Sequence, residues 1–377
     1  MKGADGMDFT QTPDGVEAAG LATAILEKHC TPERLQEVEA ATGRFDHDLW
    51  RRFADSGLIS LTVPEQHDGS GLGLLELCSV LVEVGRRVAP LPIGVHAVTA
   101  MAIARFATPT QQSRWLPVGG LGEFVLTSAL AEDRMHNPVE PVTRAENDGN
   151  GWLITGSKAV VPAGPLADLF VVPAGTSDGL TVFLVHADDP GVAVVPQELS
   201  GGEVTARLEL DRASVPMDRV LGVIGEGLEV VEWLAEHLTV ALCAEQLGTL
   251  EGALDLTSAY AKSREQFGRP IGTFQAVSQR LADGYIDVLG ARLTLWQAAW
   301  RLSEGLPATE AVAIAKLWAA DAGHHLAHTT VHVHGGVGID LDGEAHRYFT
   351  AAKRQEFLLG GTTEQSRVIG AILAGES

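Results

Sequence analysis

Between Tyr260 and Gln275 the chain reads Tyr-Ala-Lys-Ser-Arg-Glu-Gln-Phe-Gly-Arg-Pro-Ile-Gly-Thr-Phe-Gln. Arg264 brings a charged fork that suits a pyrophosphate, and Phe267 brings a flat face for an aromatic ring. The plain alternative is an ordinary helix C-terminus, with Arg264 in the last turn and Gly268 at the cap. Further on, His332-Val333-His334-Gly335-Gly336-Val337-Gly338 is rich in glycine. It is not the dinucleotide fingerprint of a doubly wound fold, because a helical pattern and no strand leads into it. His324, His325, His328, His332 and His334 crowd together, and His324 and His328 stand at i, i+4. Two such imidazoles can share a metal on one helix face. No carboxylate or cysteine stands at matching spacing, so packing and hydrogen bonding is the default and no metal ligand is assigned.

Three blocks of elements must position these groups. The first third is helical. Thr31-Pro32-Glu33 is an N-cap, a proline at N1 and an acid in the first turn. Leu74, Leu77, Cys78, Leu81, Val82 and Val88 recur at helical spacing. Thr108-Pro109-Thr110-Gln111 opens another helix, which Arg114-Trp115-Leu116-Pro117 closes. In the middle third, Gly151–Gly156, Leu169–Val172, Leu180–Val185 and Val192–Val195 are short β-rich runs, and Arg207-Leu208-Glu209-Leu210 alternates. This is the signal of a small antiparallel β domain. The last third returns to helix over Gly227–Ala261, Leu281–Leu302, Thr309–Thr329 and Glu364–Ala374, which suits a four-helix bundle. The fold class is α+β, with domains expected at 8–122, 123–222 and 223–377.

The 377 residues carry a formal net charge of −22, and 45% are hydrophobic. Such acidity argues against nucleic acid and against anionic membrane surfaces. An anionic cofactor still fits where basic groups such as Arg264 and Arg269 are concentrated locally. No apolar run reaches the ~18 residues that a membrane span needs. The start, Met1-Lys2-Gly3-Ala4-Asp5-Gly6, lacks the apolar core of a signal peptide, and Met7 could be the natural start. Cys30, Cys78 and Cys243 lie far apart, as free thiols in a reducing cytoplasm do.

The stretch Tyr260–Gln275 closely resembles the flavin-contacting signature of acyl-CoA dehydrogenases, Arg-x-x-Phe-Gly…Phe-Gln. Members of that family also place a Gln-x-x-Gly-Gly-x-Gly where this chain has His332-Val333-His334-Gly335-Gly336-Val337-Gly338. Gln111-Gln112 before Trp115-Leu116-Pro117, and Gly225-Glu226-Gly227, fit the family too. The resemblance runs from about Asp8 to the C-terminus. It implies the family's helical, β and helical domains, and FAD held by Arg264, Phe267, Gln275, His332, Gly335 and Gly336.

Other family positions are changed. The usual Thr-Glu-Pro-x-Ala-Gly-Ser-Asp turn, which holds the flavin ring, reads Ala129 to Pro138 here, and only Glu132 survives. The flavin-contacting Lys-x-Trp/Tyr-Ile-Thr/Ser strand reads Lys158-Ala159-Val160-Val161-Pro162, which loses the ring, a hydroxyl and a backbone donor. The family abstracts an acidic α-proton with a glutamate of raised pKa. Gly360 stands at one of its two locations and Leu238 at the other. Glu245 lies seven residues past Leu238, about 10 Å along the helix axis. Glu236 points to another face. Glu364 falls where the family has a polar side chain that contacts FAD.

The chain therefore resembles the non-catalytic subunit of the α2β2 acyl-CoA dehydrogenases of actinobacterial steroid side-chain degradation. That resemblance implies FAD shared with a homologous catalytic subunit, a steroid side-chain acyl-CoA substrate, and electron-transferring flavoprotein as acceptor. Two alternatives stand beside it. One is a self-sufficient homotetramer using Glu245 as a displaced base. The other is a flavin-free scaffold or acyl-CoA-binding protein.

Overall fold

The computed structural model describes residues 9–41, 43–133 and 137–375. The proposed start at Met1–Met7 lies outside them, as does the Arg134–His136 part of the altered turn. The first third forms helices α1 (Pro13–His29), α2 (Pro32–Ala40), α3 (His47–Asp55), α4 (Leu74–Arg86), α5 (Ile93–Phe106) and α6 (Pro109–Gly120). Strands β1 (Leu126–Ser128), β2 (Arg144–Asn147), β3 (Gly151–Pro162) and β4 (Leu169–Thr176) follow. Strands β5 (Gly179–His186), β6 (Val192–Gln197), β7 (Thr205–Pro216) and β8 (Val220–Leu221) complete the sheet. Next come α7 (Leu228–Ser263), the hairpin strands β9 (Glu265–Gln266) and β10 (Arg269–Pro270), and α8 (Gln275–Ser303). Helices α9 (Thr309–His334), α10 (Ala345–Phe357) and α11 (Thr362–Ala374) end the chain. The fold is α+β: a helical N-terminal part, a β middle and a C-terminal helical bundle.

The helix starts obey their capping chemistry. Thr31 Oγ1 accepts from Arg34 N at 3.2 Å, and Thr108 and Gln111 form a reciprocal capping box. Helix α6 does not close at Pro117 as expected; it runs on to Gly120. A proline near a helix end loses one backbone bond, and Pro117 O still accepts from Leu121 N at 3.1 Å.

The chain divides into two compact units, one of residues 1–36, 74–89 and 239–377, the other of residues 37–73 and 90–238. The second unit holds the sheet, ordered β6-β7-β3-β2-β4-β5-β8, with β1 beside β4. Most neighbours are antiparallel, but β1 pairs parallel to β4, Leu126 opposite Leu169, and β2 touches β4 in parallel at Arg144 and Gly175. That departs from the purely antiparallel expectation. A three-residue strand arriving straight from α6 is too short to have announced its direction. Trp152 packs edge-on to Phe183, ring centroids 5.3 Å apart, inside this unit.

In the first unit α4 and α7 touch backbone to backbone. A Cβ on Gly248 would lie 1.9 Å from Val82 O, and one on Gly85 would lie 2.0 Å from Glu245 O. Only glycine allows that approach. The buried Glu251 carboxylate pairs with both Arg86 of α4 and Arg292 of α8, and Tyr348 Oη donates to Arg86 O at 2.9 Å. Helix α8 shows Tyr285, Ile286, Leu289 and Leu293 on one exposed face. No helix among the described residues is long and apolar enough to cross a membrane.

Candidate functional site

Helix α7 runs to Ser263 and Arg264 N closes its last turn on Tyr260 O at 2.8 Å, but the stretch 265–270 that follows is more than a helix cap. It is a hairpin in which Gln266 pairs with Arg269 across a two-residue turn. Phe267 and Gly268 form the turn with φ of 53° and 77°. Two successive left-handed residues are the geometry that twists with a β-hairpin. The turn puts Phe267 in the open, 93% exposed. Its nearest ring partner is Phe274, 6.1 Å away and edge-on, and the Arg269 guanidinium covers Phe274 at 4.3 Å. Arg264 and Gln275 are exposed as well.

The glycine-rich turn lies just past α9. Gly335 takes φ of 65° and its N–H bonds back to Val331 O. A Cβ on Gly335 or Gly336 would meet nothing within 4 Å. The positive φ explains Gly335, but nothing within this chain asks for glycine at 336. The ring of His334 stacks on Tyr260, centroids 4.3 Å apart, and its Nδ1 bonds to Thr330 O at 2.8 Å. His332 faces outward.

The altered turn and strand belong to the second unit. Glu132 accepts from Lys158 Nζ at 2.6 Å, Thr143 Oγ1 at 2.6 Å and Val142 N at 2.6 Å. Burial pushes the Glu132 carboxyl up, but the bonds from Lys158, Thr143 and Val142 outweigh it and hold it below the usual range. The two residues that survive from the family patterns are thus spent on each other. Past Lys158 the strand bulges. Val160 takes φ of 51°, and its N–H is taken by Gln197 Oε1 at 2.8 Å. The Pro162 carbonyl accepts from Thr127 Oγ1 at 2.6 Å.

The expected base positions carry no acid. Leu238 is buried apolar surface. Gly360 takes φ of 91° after Leu359 at 58°. The Glu364 carboxylate accepts from Gly361 N at 3.1 Å and serves as a helix cap. Glu245 is half-buried. Burial raises its carboxyl pKa, and the nearby Arg354 pulls it part of the way back.

The histidines find partners across α8, α9 and α10. His324 Nδ1 lies 3.2 Å from Glu356 Oε1 and 3.1 Å from Lys353 Nζ. His325 Nδ1 lies 3.4 Å from Asp287. Among the described residues no group of three or more His, Cys, Asp or Glu is placed to hold a metal ion.

Sequence reasoning missed the roles of Gln197 and Gln365. Neither stands in a motif, and each matters only through a backbone group that folding brings to it. The hairpin was hidden for another reason. Phe-Gly is not among the strong hairpin dipeptides, and a long helical pattern runs right up to it.

Three stretches match the domains of one family. Residues 13–122 match "Acyl-CoA dehydrogenase, N-terminal domain", 132–212 the "middle domain" and 225–373 the "C-terminal domain". The chain belongs to the acyl-CoA dehydrogenase family, FAD-binding oxidoreductases that act on CH–CH bonds. It is 47% identical to "Acyl-CoA dehydrogenase FadE27" of Mycobacterium tuberculosis, over 98% of this chain and 99% of that one. It superposes with a TM-score of 0.93 on a chain of the ChsE4-ChsE5 complex from Mycobacterium tuberculosis, at 48% identity, covering 98% of this chain and 99% of the other. A chain from a variant of the Tcur3481-Tcur3483 steroid ACAD gives a TM-score of 0.91 at 39% identity, covering 97% and 99%.

The two groups of residues fit FAD unequally. Arg264, Phe267, Gln275 and the bare backbone at Gly336 offer charge, a ring face and room for close approach, all outward. Val160 and Pro162 offer neither ring nor hydroxyl, and the polar groups around them already have partners within the chain.

Proposed function

We propose that this chain is the non-catalytic subunit of an α2β2 acyl-CoA dehydrogenase that desaturates a steroid side-chain acyl-CoA thioester. It completes the FAD site of a homologous catalytic subunit with Arg264, Phe267, Gln275, His332, Gly335 and Gly336. The observation that carries this reading is Phe267, 93% exposed at a hairpin tip beside exposed Arg264. Burying such a ring is worth a few kcal/mol, and within this chain that gain is unrealised. The absence of a carboxylate at Gly360 and Leu238 supports the same reading, as does likeness to chains solved as two-chain complexes. So does the exposed apolar face of α8.

In this reading FAD, when bound, supplies the acceptor for the β-hydride. Arg264 sets its charged fork against the pyrophosphate. Phe267 offers a ring face and helps exclude water. Gly336 lets the backbone come close. Proton abstraction belongs to the partner, and electron-transferring flavoprotein takes the electrons in the cytoplasm.

The test is flavin content. The chain alone is expected to hold little FAD, and the complex half as many flavins as chains. Arg264→Ala should lower the flavin content of the complex; unchanged content sinks the reading. A full complement of FAD on the isolated chain, bleached by an acyl-CoA, would favour the self-sufficient alternative. The raised carboxyl of Glu245 is its one support, and Glu245→Gln would then abolish the bleaching.

A further inference from the structure

We propose that Gln365 is the residue that makes a side chain at position 360 costly. This rests on the proposed reading of Gly360 as the vacant base position: a new side chain there is best accommodated when residue 365 changes with it. Leu359 and Gly360 both have left-handed backbones, φ 58° and 91°. From the first turn of α11, Gln365 folds back over them, and its Nε2 donates to Leu359 O at 3.0 Å. A Cβ on Gly360 would sit 2.8 Å from that same Nε2 and 3.3 Å from Glu364 Cβ. Gln365 is buried, and swinging its amide aside gives up the bond to Leu359 O.

The segment is held from both ends. Lys316, itself buried, donates through Nζ to Gln355 O at 2.9 Å and Glu356 O at 3.0 Å, fastening the end of α10. On the other side Glu364 fastens Gly361 N. A side chain at 360 therefore meets two separate obstacles, the positive φ and the Gln365 amide. Only the second can be lifted by changing another residue.

The experiment is a double-mutant cycle on the full chain, read by thermal unfolding. The variants are Gly360→Ala, Gln365→Ala, Gln365→Met and the two doubles. Gly360→Ala is expected to lower the midpoint by several degrees. That drop should shrink in the Gln365→Ala background, where the space is free. It should persist with Gln365→Met, which keeps the volume and loses the donor. A merely structural hydrogen bond would give the same result with Ala and Met. Additive effects, or a Gly360→Ala midpoint equal to the parent's, would overturn the proposal. If Gly360→Ala alone yields no soluble chain, its recovery by Gln365→Ala supports the proposal and failure of both doubles sinks it.

Discussion

Lys158 Nζ lies 2.6 Å from Glu132 Oε1, and both side chains are buried. The pair fastens the segment around Val142 and Thr143 to β3. Removing one partner leaves a buried charge alone, which costs about 3–5 kcal/mol. Lys158→Met is therefore expected to lose that much in denaturant unfolding. The folded Glu132 carboxyl is held below its ordinary value. Its contribution is present above the unfolded carboxyl value and is lost as pH falls through the folded one. Glu132→Gln should remove that part of the acid dependence.

Two histidines set a second pH dependence. Burial holds His96 and His237 down to about 4, against an ordinary value of about 6.5. Below that ordinary value the unfolded chain takes up protons that the folded chain refuses. Stability is full above about pH 6.5 and falls toward pH 4, by about 1.4 kcal/mol per pH unit for each histidine. His237→Phe, which can keep the stack on Trp233 at 3.6 Å, should take one histidine's share from the slope between those limits. A slope equal to the parent's would count against this assignment.

Under the proposed two-subunit reading, Phe267 separates folding from assembly. At 93% exposure it contributes almost nothing to the isolated fold, so Phe267→Ala should leave unfolding within ~0.5 kcal/mol of the parent. The same change should reduce the flavin held by the proposed complex. Equal loss in both measurements would show a structural ring instead.

At the α4–α7 crossing, Gly248→Ala would drive a methyl to within 1.9 Å of Val82 O. Overpacking of this kind costs roughly 1–3 kcal/mol or more. Chemical unfolding of the full chain reads it directly.

Much of the fold was legible because its signals are local. Thr31 and Thr108 announce their helices through side chains that cap them, and the runs around Trp152 and Phe183 are rich in the β-branched and apolar residues of strands. What stayed hidden depends on contacts between distant residues. Glu132 read as what survives of the flavin-holding turn, yet in the fold its carboxylate is taken by Lys158 of β3. Gly360 read as a missing base, yet the Gln365 amide that a side chain there would meet at 2.8 Å is brought in only by folding. Arg264 to Gly268 were legible as a motif but not as a hairpin, because φ at Phe267 is invisible in the letters.

The hairpin also bears on how such a chain would be made. A bare phenyl at a tip and an apolar stripe along Tyr285, Ile286, Leu289 and Leu293 are sticky surfaces in water. Under the two-subunit reading, a copy without its mate carries both uncovered and is open to clumping and to disposal by proteases. Synthesis of the two chains would then have to run in step, and a surplus of this one would be short-lived.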